Sequence, residues 1–295
     1  MAARILFVTG KGGTGKTSVA SALASEAARR RIPALLVHMP SSRSRAARPA
    51  SPAPSRRPRP AKEHGVDEVV LDEARDLGAF LTRVVGLAFI ARRLQDSRTF
   101  MAVAAAAPGL RDLVSLTSIT ARAARRRGVV VVDAPASGHS LPLLTSPSRL
   151  LEVTPVGPVA REARAAAALL ADPAAFTAIL VATPEELAIT EALELERDVV
   201  AAGVPRPRLV VNGLWPAYVG RQDGERLLAS GVSTDAAMHW KRHCRQLELV
   251  ESLEKRAGPC ARIAFRVEGP DTTLPRDDVA ALFDDLADGA AGSSS

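Results

Sequence analysis

The chain has 295 residues and a mass of 31.0 kDa, longer than most single domains but within reach of one open α/β sheet, so one large domain is expected. Hydrophobic residues at 47% permit a sizeable core and charged residues at 24% exclude wholesale disorder, while no uncharged run reaches the ~18 residues that a membrane-crossing helix needs. With only Cys244 and Cys260, a disulfide scaffold is excluded, and a cytoplasmic chain without secretory leader or transmembrane segment is expected.

The net charge of +7 is local. Arg43, Arg45, Arg48, Arg56, Arg57, Arg59 and Lys62 place all of it in residues 41–62, where no acid occurs, so the remaining 273 residues sum to zero. Five prolines share that stretch. Residues 41–64 are therefore expected to be a disordered, basic, Pro/Arg-rich insertion. No aromatic residue is available there to stack on bases, so no specific nucleic-acid partner is predicted.

In chain order, the apolar run Ile5–Val8 predicts a buried strand, Lys16–Arg30 a helix and Ala34–Val37 a second strand. Residues 74–127 read as a helical subdomain: Leu77, Phe80, Leu81, Val84 and Val85 recur at helical spacing, Leu87–Leu94 and Thr99–Ala107 follow, and Leu110–Ala124 lies after Pro108-Gly109. Val129–Val132 is a strand candidate, as are Ala178–Ala182 and Leu209–Val211. Pro184–Ala202 reads as a helix opened by Pro184 and closed by Gly203. Strands alternating with helices predict a doubly wound, mostly parallel sheet with helices on both faces. Residues 1–288 are expected to form this single domain and residues 289–295 a flexible tail.

Directly after the first strand stands Gly10-Lys11-Gly12-Gly13-Thr14-Gly15-Lys16-Thr17, which fits G-x-x-x-x-G-K-[ST], the phosphate-binding loop of P-loop NTPases. Glycines let the backbone aim several N–H groups at phosphate oxygens, and the following helix, which begins with Lys16, Thr17 and Ser18, presents its positive end. Lys16 supplies a charge between the terminal phosphates, and the Thr17 hydroxyl a ligand for Mg²⁺. Asp133, at the end of the Val129–Val132 run, is the candidate carboxylate for the same metal. ATP and Mg²⁺ are the predicted cofactors. The segment 134–140, APASGHS, is placed to respond to the terminal phosphate.

The loop reads KGGTGKT, a deviant Walker A sequence. With VVVVDAPASGHSLPLL, with the stretch from TAILVATPEELAITEAL through LVVNGLWP, and with ARIAF, it resembles the arsenical-pump and tail-anchored-protein-targeting (ArsA-like) ATPases, kin to the septum-site and plasmid-partition ATPases. The resemblance covers most of the chain apart from residues 41–62 and implies a degenerate bacterial paralogue. It implies a homodimer, or a heterodimer with an ArsA-like paralogue, that sandwiches ATP and whose opening and closing handle a client protein. By the same resemblance Lys11 would reach the partner's phosphates, and Asn212 would recognise adenine, although Asn212-Gly213 also suits a turn.

The sequence departs from this family where its second strand ends. The family carries an aspartate before proline that orients the attacking water, whereas this chain has His38-Met39-Pro40. A thioether cannot orient water, so hydrolysis is expected to be weak, and His38 takes part only if its ring turns inward. Cys244 and Cys260 reproduce neither the arsenite thiols nor the zinc C-x-x-C of the family. His239 and His243 with Cys244 are read as a solvated helical surface rather than a metal face. The alternatives are a non-hydrolysing, ATP-gated scaffold subunit of a heterodimer and, behind it, a partition-type DNA-binding ATPase.

Overall fold

The computed structural model describes residues 3–39, 65–86, 109–231, 235–265 and 274–291, the last four in backbone only. The expected insertion at 41–64, the runs Leu87–Leu94 and Thr99–Ala107, and the end of the tail from 292 lie outside the described residues.

β1 (Arg4–Gly10), β2 (Ala34–His38), β3 (Val66–Val70), β4 (Val129–Asp133), β5 (Phe176–Ala182), β6 (Arg208–Leu214) and β7 (Ala261–Ala264) form one parallel sheet in the order β3-β2-β4-β1-β5-β6-β7. Nine helices accompany it among the described residues: α1 (Lys16–Arg29), α2 (Glu73–Val85), α3 (Leu110–Ala124), α4 (Ser137–Val153), α5 (Pro158–Ala171), α6 (Glu186–Ala201), α7 (Arg221–Ala229), α8 (Asp235–Ala257) and α9 (Arg276–Ala291). The α/β architecture expected from the alternating runs is the one observed. β3 is a strand that apolar runs do not disclose, because Asp67 and Glu68 interrupt VDEVV; at the sheet edge it needs burial on fewer sides. Pro184 does not open α6, which begins two residues later at Glu186, whereas Gly203 follows the helix at φ +81° as expected.

Strand alternation divides the core. Leu6, Val8, Leu36, Val131, Ile179 and Val210 point to the face covered by α1 and α9. Phe7, Val37, Val132 and Leu180 point to the other, packing with residues of α3, α4, α6 and α8 such as Ile119, Leu143, Val199 and Val250. At roughly 1.5–3 kcal/mol per large side chain removed from water, these two layers dominate the stability of the sheet. A separate apolar cluster joins Leu77, Phe80 and Leu81 of α2 to Leu113 and Val114 of α3 and to Ala163 and Ala166 of α5. Asp76 on α2, buried beneath it, accepts hydrogen bonds from Ser118 and Arg122 of α3.

Central β1, flanked by β4 and β5, ends at the glycine loop, so the loop opens at the carboxyl edge of the sheet where chain direction switches sides.

Candidate functional site

The glycine loop turns between β1 and α1 through two positions that exclude a side chain. At Gly10, φ is +146° and the Val181 carbonyl of β5 stands where a Cβ would be. At Gly15, φ is +87° and the amide nitrogen of Asn212 fills that place. Inside the loop, the Lys11 carbonyl accepts from Thr14 Oγ1 at 2.9 Å and from Lys16 Nζ at 2.8 Å. Burial pulls the Lys16 ammonium below its ordinary pKa, and the charge of Asp133 opposes that pull. Gly12 and Gly13 are exposed at the tip, Thr14 is buried beneath it, and Thr17 and Ser18 are exposed on the first turn of α1.

Thr17 and Asp133, 116 residues apart in sequence, meet beside this loop: Thr17 Oγ1 lies 3.0 and 3.2 Å from the two carboxylate oxygens. Both are hard oxygen donors at the positive end of a helix, a set that suits Mg²⁺ carried by a polyphosphate. The segment following Asp133 is tied to β1, because buried Thr9 Oγ1 lies 3.1 Å from the Pro135 carbonyl and 2.8 Å from Ser140 Oγ. The lines of contact thus run from the loop strand directly into the stretch APASGHS.

His38 turns into the site. In β2 the residues Ala34 and Leu36 face α1 while Leu35 and Val37 face away, so the next position, 38, returns to the α1 side. The same parity in β4 brings Asp133 to that side, and the two are register partners across adjacent strands. His38 Nδ1 lies 3.2 Å from Asp133 Oδ2, and its Nε2 lies 4.0 Å from Glu68 of β3. The hydrogen bond to Asp133 holds the imidazole above its ordinary pKa, against the opposing effect of burial. Met39 continues the alternation and packs against the opposite core layer.

Lys11 and Asn212 also make specific contacts. Lys11 Nζ forms a 2.8 Å ion pair with Glu191 on α6 of its own chain. Asn212, at the end of β6, donates from Nδ2 to the Thr14 carbonyl at 2.9 Å, and Gly213 behind it takes φ +86° at an irregularity of the β6–β7 register. Asn212 and Gly213 thus lie within β6 rather than in a turn between elements, the positive φ of Gly213 belongs to a strand irregularity, and the contact made by the Asn212 side chain is to the glycine loop. Glu68 and Glu191 carry no motif of their own; the strand parity of residue 38 is the signal that locates His38. On α8, His243 is engaged with the Trp215 carbonyl and His239 packs on the Trp215 ring, and no group of three or more His, Cys, Asp or Glu residues suited to a metal occurs among the described residues.

Comparison with known proteins agrees with this geometry. The family model for Anion-transporting ATPase matches residues 3–43, which contain β1, the glycine loop, α1 and β2. Over 245 residues the chain is 27% identical to the ATPase BagA of Mycobacterium tuberculosis (strain ATCC 25618 / H37Rv), covering 79% of this chain and 72% of that one. Mb3704 of Mycobacterium bovis, also named as an ATPase, matches to the same extent. Both findings make the chain similar to ArsA-like ATPases. This similarity supports a nucleotide-binding ATPase, and the matched residues 3–43 include the glycine loop and His38 but not Asp133, Glu191 or Asn212. Among the described residues, no helix is long and apolar enough to cross a membrane.

Proposed function

We propose that this ArsA-like protein binds MgATP in the cradle Gly10–Thr17 and uses its nucleotide state to open and close a two-protomer assembly that handles a client or partner protein. The observation that carries the reading is the convergence of the Thr17 hydroxyl and the Asp133 carboxylate at the mouth of a glycine loop closed by Lys16. When bound, Mg²⁺ would neutralise the charge of the terminal phosphates. In this reading Thr17 and Asp133 hold it, Lys16 turns from the Lys11 carbonyl to the phosphate oxygens, and Lys11 leaves Glu191 for the partner's nucleotide. A ligand held between two protomers favours the closed form by its differential affinity for that form.

Hydrolysis in this reading is slow. Met39 donates its backbone N–H to the Asp133 carbonyl at 3.1 Å, but its side chain packs against the opposite core layer and offers neither charge nor a strong acceptor to an attacking water. That same observation favours the second reading, a non-hydrolysing ATP-gated subunit whose partner supplies the working site.

Calorimetry with MgATP is the test. Wild-type protein is expected to bind, and Lys16→Ala to bind roughly 10- to 100-fold more weakly, the loss of one charge-assisted contact. Equal affinity of the two proteins would remove the proposal. Sedimentation with ATP, together with phosphate release from the same sample, separates slow turnover from none.

A further inference from the structure

We infer that His38 is a positioning residue for the metal-binding carboxylate, fixing Asp133 by a hydrogen bond from the α1 side of the sheet, with Glu68 behind it. The inference rests on the reading that Thr17 and Asp133 hold Mg²⁺.

Three facts assign the role. His38 and Asp133 are opposite one another in register, so backbone pairing rather than a chance rotamer sets their approach. A carboxylate is an acceptor only, so the 3.2 Å contact places the proton on Nδ1, whether the ring is neutral or charged, and leaves Nε2 directed at Glu68. Asp133 is then held from two sides, by Thr17 Oγ1 of α1 and by His38 of β2. With Oδ2 anchored to the imidazole, Oδ1 keeps lone pairs for the metal or its water. An unanchored carboxylate would lose rotamer freedom on binding and would rotate between the two arrangements. Groups that orient a metal-holding side chain commonly change metal affinity 10- to 100-fold when removed.

The position explains why a histidine is tolerated where the chain lacks the water-orienting acid. Residue 39 faces the core and residue 38 faces the site, so the group that β2 delivers beside Asp133 is the imidazole. Such a group tightens retention of the metal-nucleotide without activating water, which fits a protein that is closed by ATP and turns it over slowly.

The test uses the full chain and a fluorescent, slowly hydrolysed ATP analogue, titrated with MgCl₂ and, separately, in the presence of a chelator. His38→Ala is expected to raise the MgCl₂ concentration for half-saturation about tenfold, while metal-free analogue binding stays as in wild type. His38→Asn, whose amide nitrogen can occupy the place of Nδ1, is expected to recover most of that loss. Glu68→Gln, at the exposed end of the chain of contacts, is expected to give a smaller shift in the same direction and serves as the readout should His38→Ala fold poorly. An unchanged or tighter MgCl₂ response in His38→Ala, or a general loss of metal-free binding equal to the loss with metal, would overturn the inference. A wild-type protein that shows no MgCl₂ enhancement at all would instead overturn the assignment of Thr17 and Asp133.

Discussion

Lys11 and Glu191 form a 2.8 Å ion pair inside one chain, with side chains about one-third exposed, 33% and 34%. A pair so hydrated contributes on the order of 0–1 kcal/mol, a small barrier to exchanging Glu191 for a phosphate of another protomer. Phosphate would be the stronger partner, and Glu191 would then hold Lys11 ready on its own chain.

Replacing the acid therefore tests whether Lys11 serves a second protomer's nucleotide as proposed. Glu191→Gln is expected to leave the melting temperature nearly unchanged and to strengthen MgATP-dependent self-association by up to about fivefold, the equivalent of ~1 kcal/mol. Sedimentation velocity at several protein concentrations reads the shift. Weaker association in the variant would mean that Glu191 belongs to the interface rather than competing with it.

Met39→Asp would supply the acid that the sequence lacks, yet the alternation of β2 turns residue 39 into the apolar layer formed with α3 and α4. Burying a carboxylate there without a partner is expected to cost about 1–3 kcal/mol. The expected outcome is a lower denaturation midpoint and no decade-scale gain in phosphate release. A large gain would show that the segment after His38 rearranges when nucleotide binds, bringing residue 39 to the water.

The stability of α1 should follow the ionisation of Glu26. Its side chain is only 5% exposed, and although burial raises its pKa, hydrogen bonds from Arg30 and Arg29 outweigh that and hold it below the ordinary 4.5. Arg30 extends the network to Asp284 on α9. For a carboxyl whose folded value is depressed, the stabilising contribution is complete above the unfolded value and is lost as pH falls from there through the folded value. Glu26→Gln is expected to lose roughly 1–3 kcal/mol at neutral pH, with the difference from wild type shrinking as pH falls below 4.5. Urea midpoints measured at neutral pH and in the acid range check the sign. A difference that persists unchanged into acid would assign the loss to packing instead.

The parts of this molecule legible in the sequence are those fixed by one local requirement. Gly10 and Gly15 are needed because neighbouring backbone or side-chain atoms stand where a Cβ would go, and that requirement writes itself as a motif. Central strands announce themselves because burial on both faces demands continuous apolar runs, as in Val129–Val132. Edge strand β3 was silent for the opposite reason, since Asp67 and Glu68 face partly outward. The surroundings of Asp133 were legible only through register: His38 meets it because β2 and β4 are neighbours with those two residues opposed, a relation across 95 positions that no local pattern contains. Glu191 reaches Lys11 in the same way, through the placement of α6 beside the loop. The helical reading of residues 74–127 could follow α2 and α3 but not their contact with α5, whose small residues Ala163 and Ala166 fill the gap between them.

Asn212 offers a last discrimination. Its amide nitrogen donates to the Thr14 carbonyl and stands against Gly15, so its immediate effect is on the shape of the phosphate loop. If that contact is its main contribution, Asn212→Ala leaves the Thr14 carbonyl without its donor and loosens the loop for any nucleoside triphosphate. The expected result is a loss of about fivefold, one neutral hydrogen bond, for ATP and GTP alike. Adenine recognition predicts a different pattern, in which affinity for ATP falls and affinity for GTP does not. Competition of the two nucleotides against a fluorescent analogue, measured for wild type and variant in the same buffer, distinguishes them, because the ratio of the two affinities responds only to base recognition. A preserved ratio with weakened binding would make Asn212 a support of the glycine loop, reached from β6 because that strand lies two positions from β1 in the sheet.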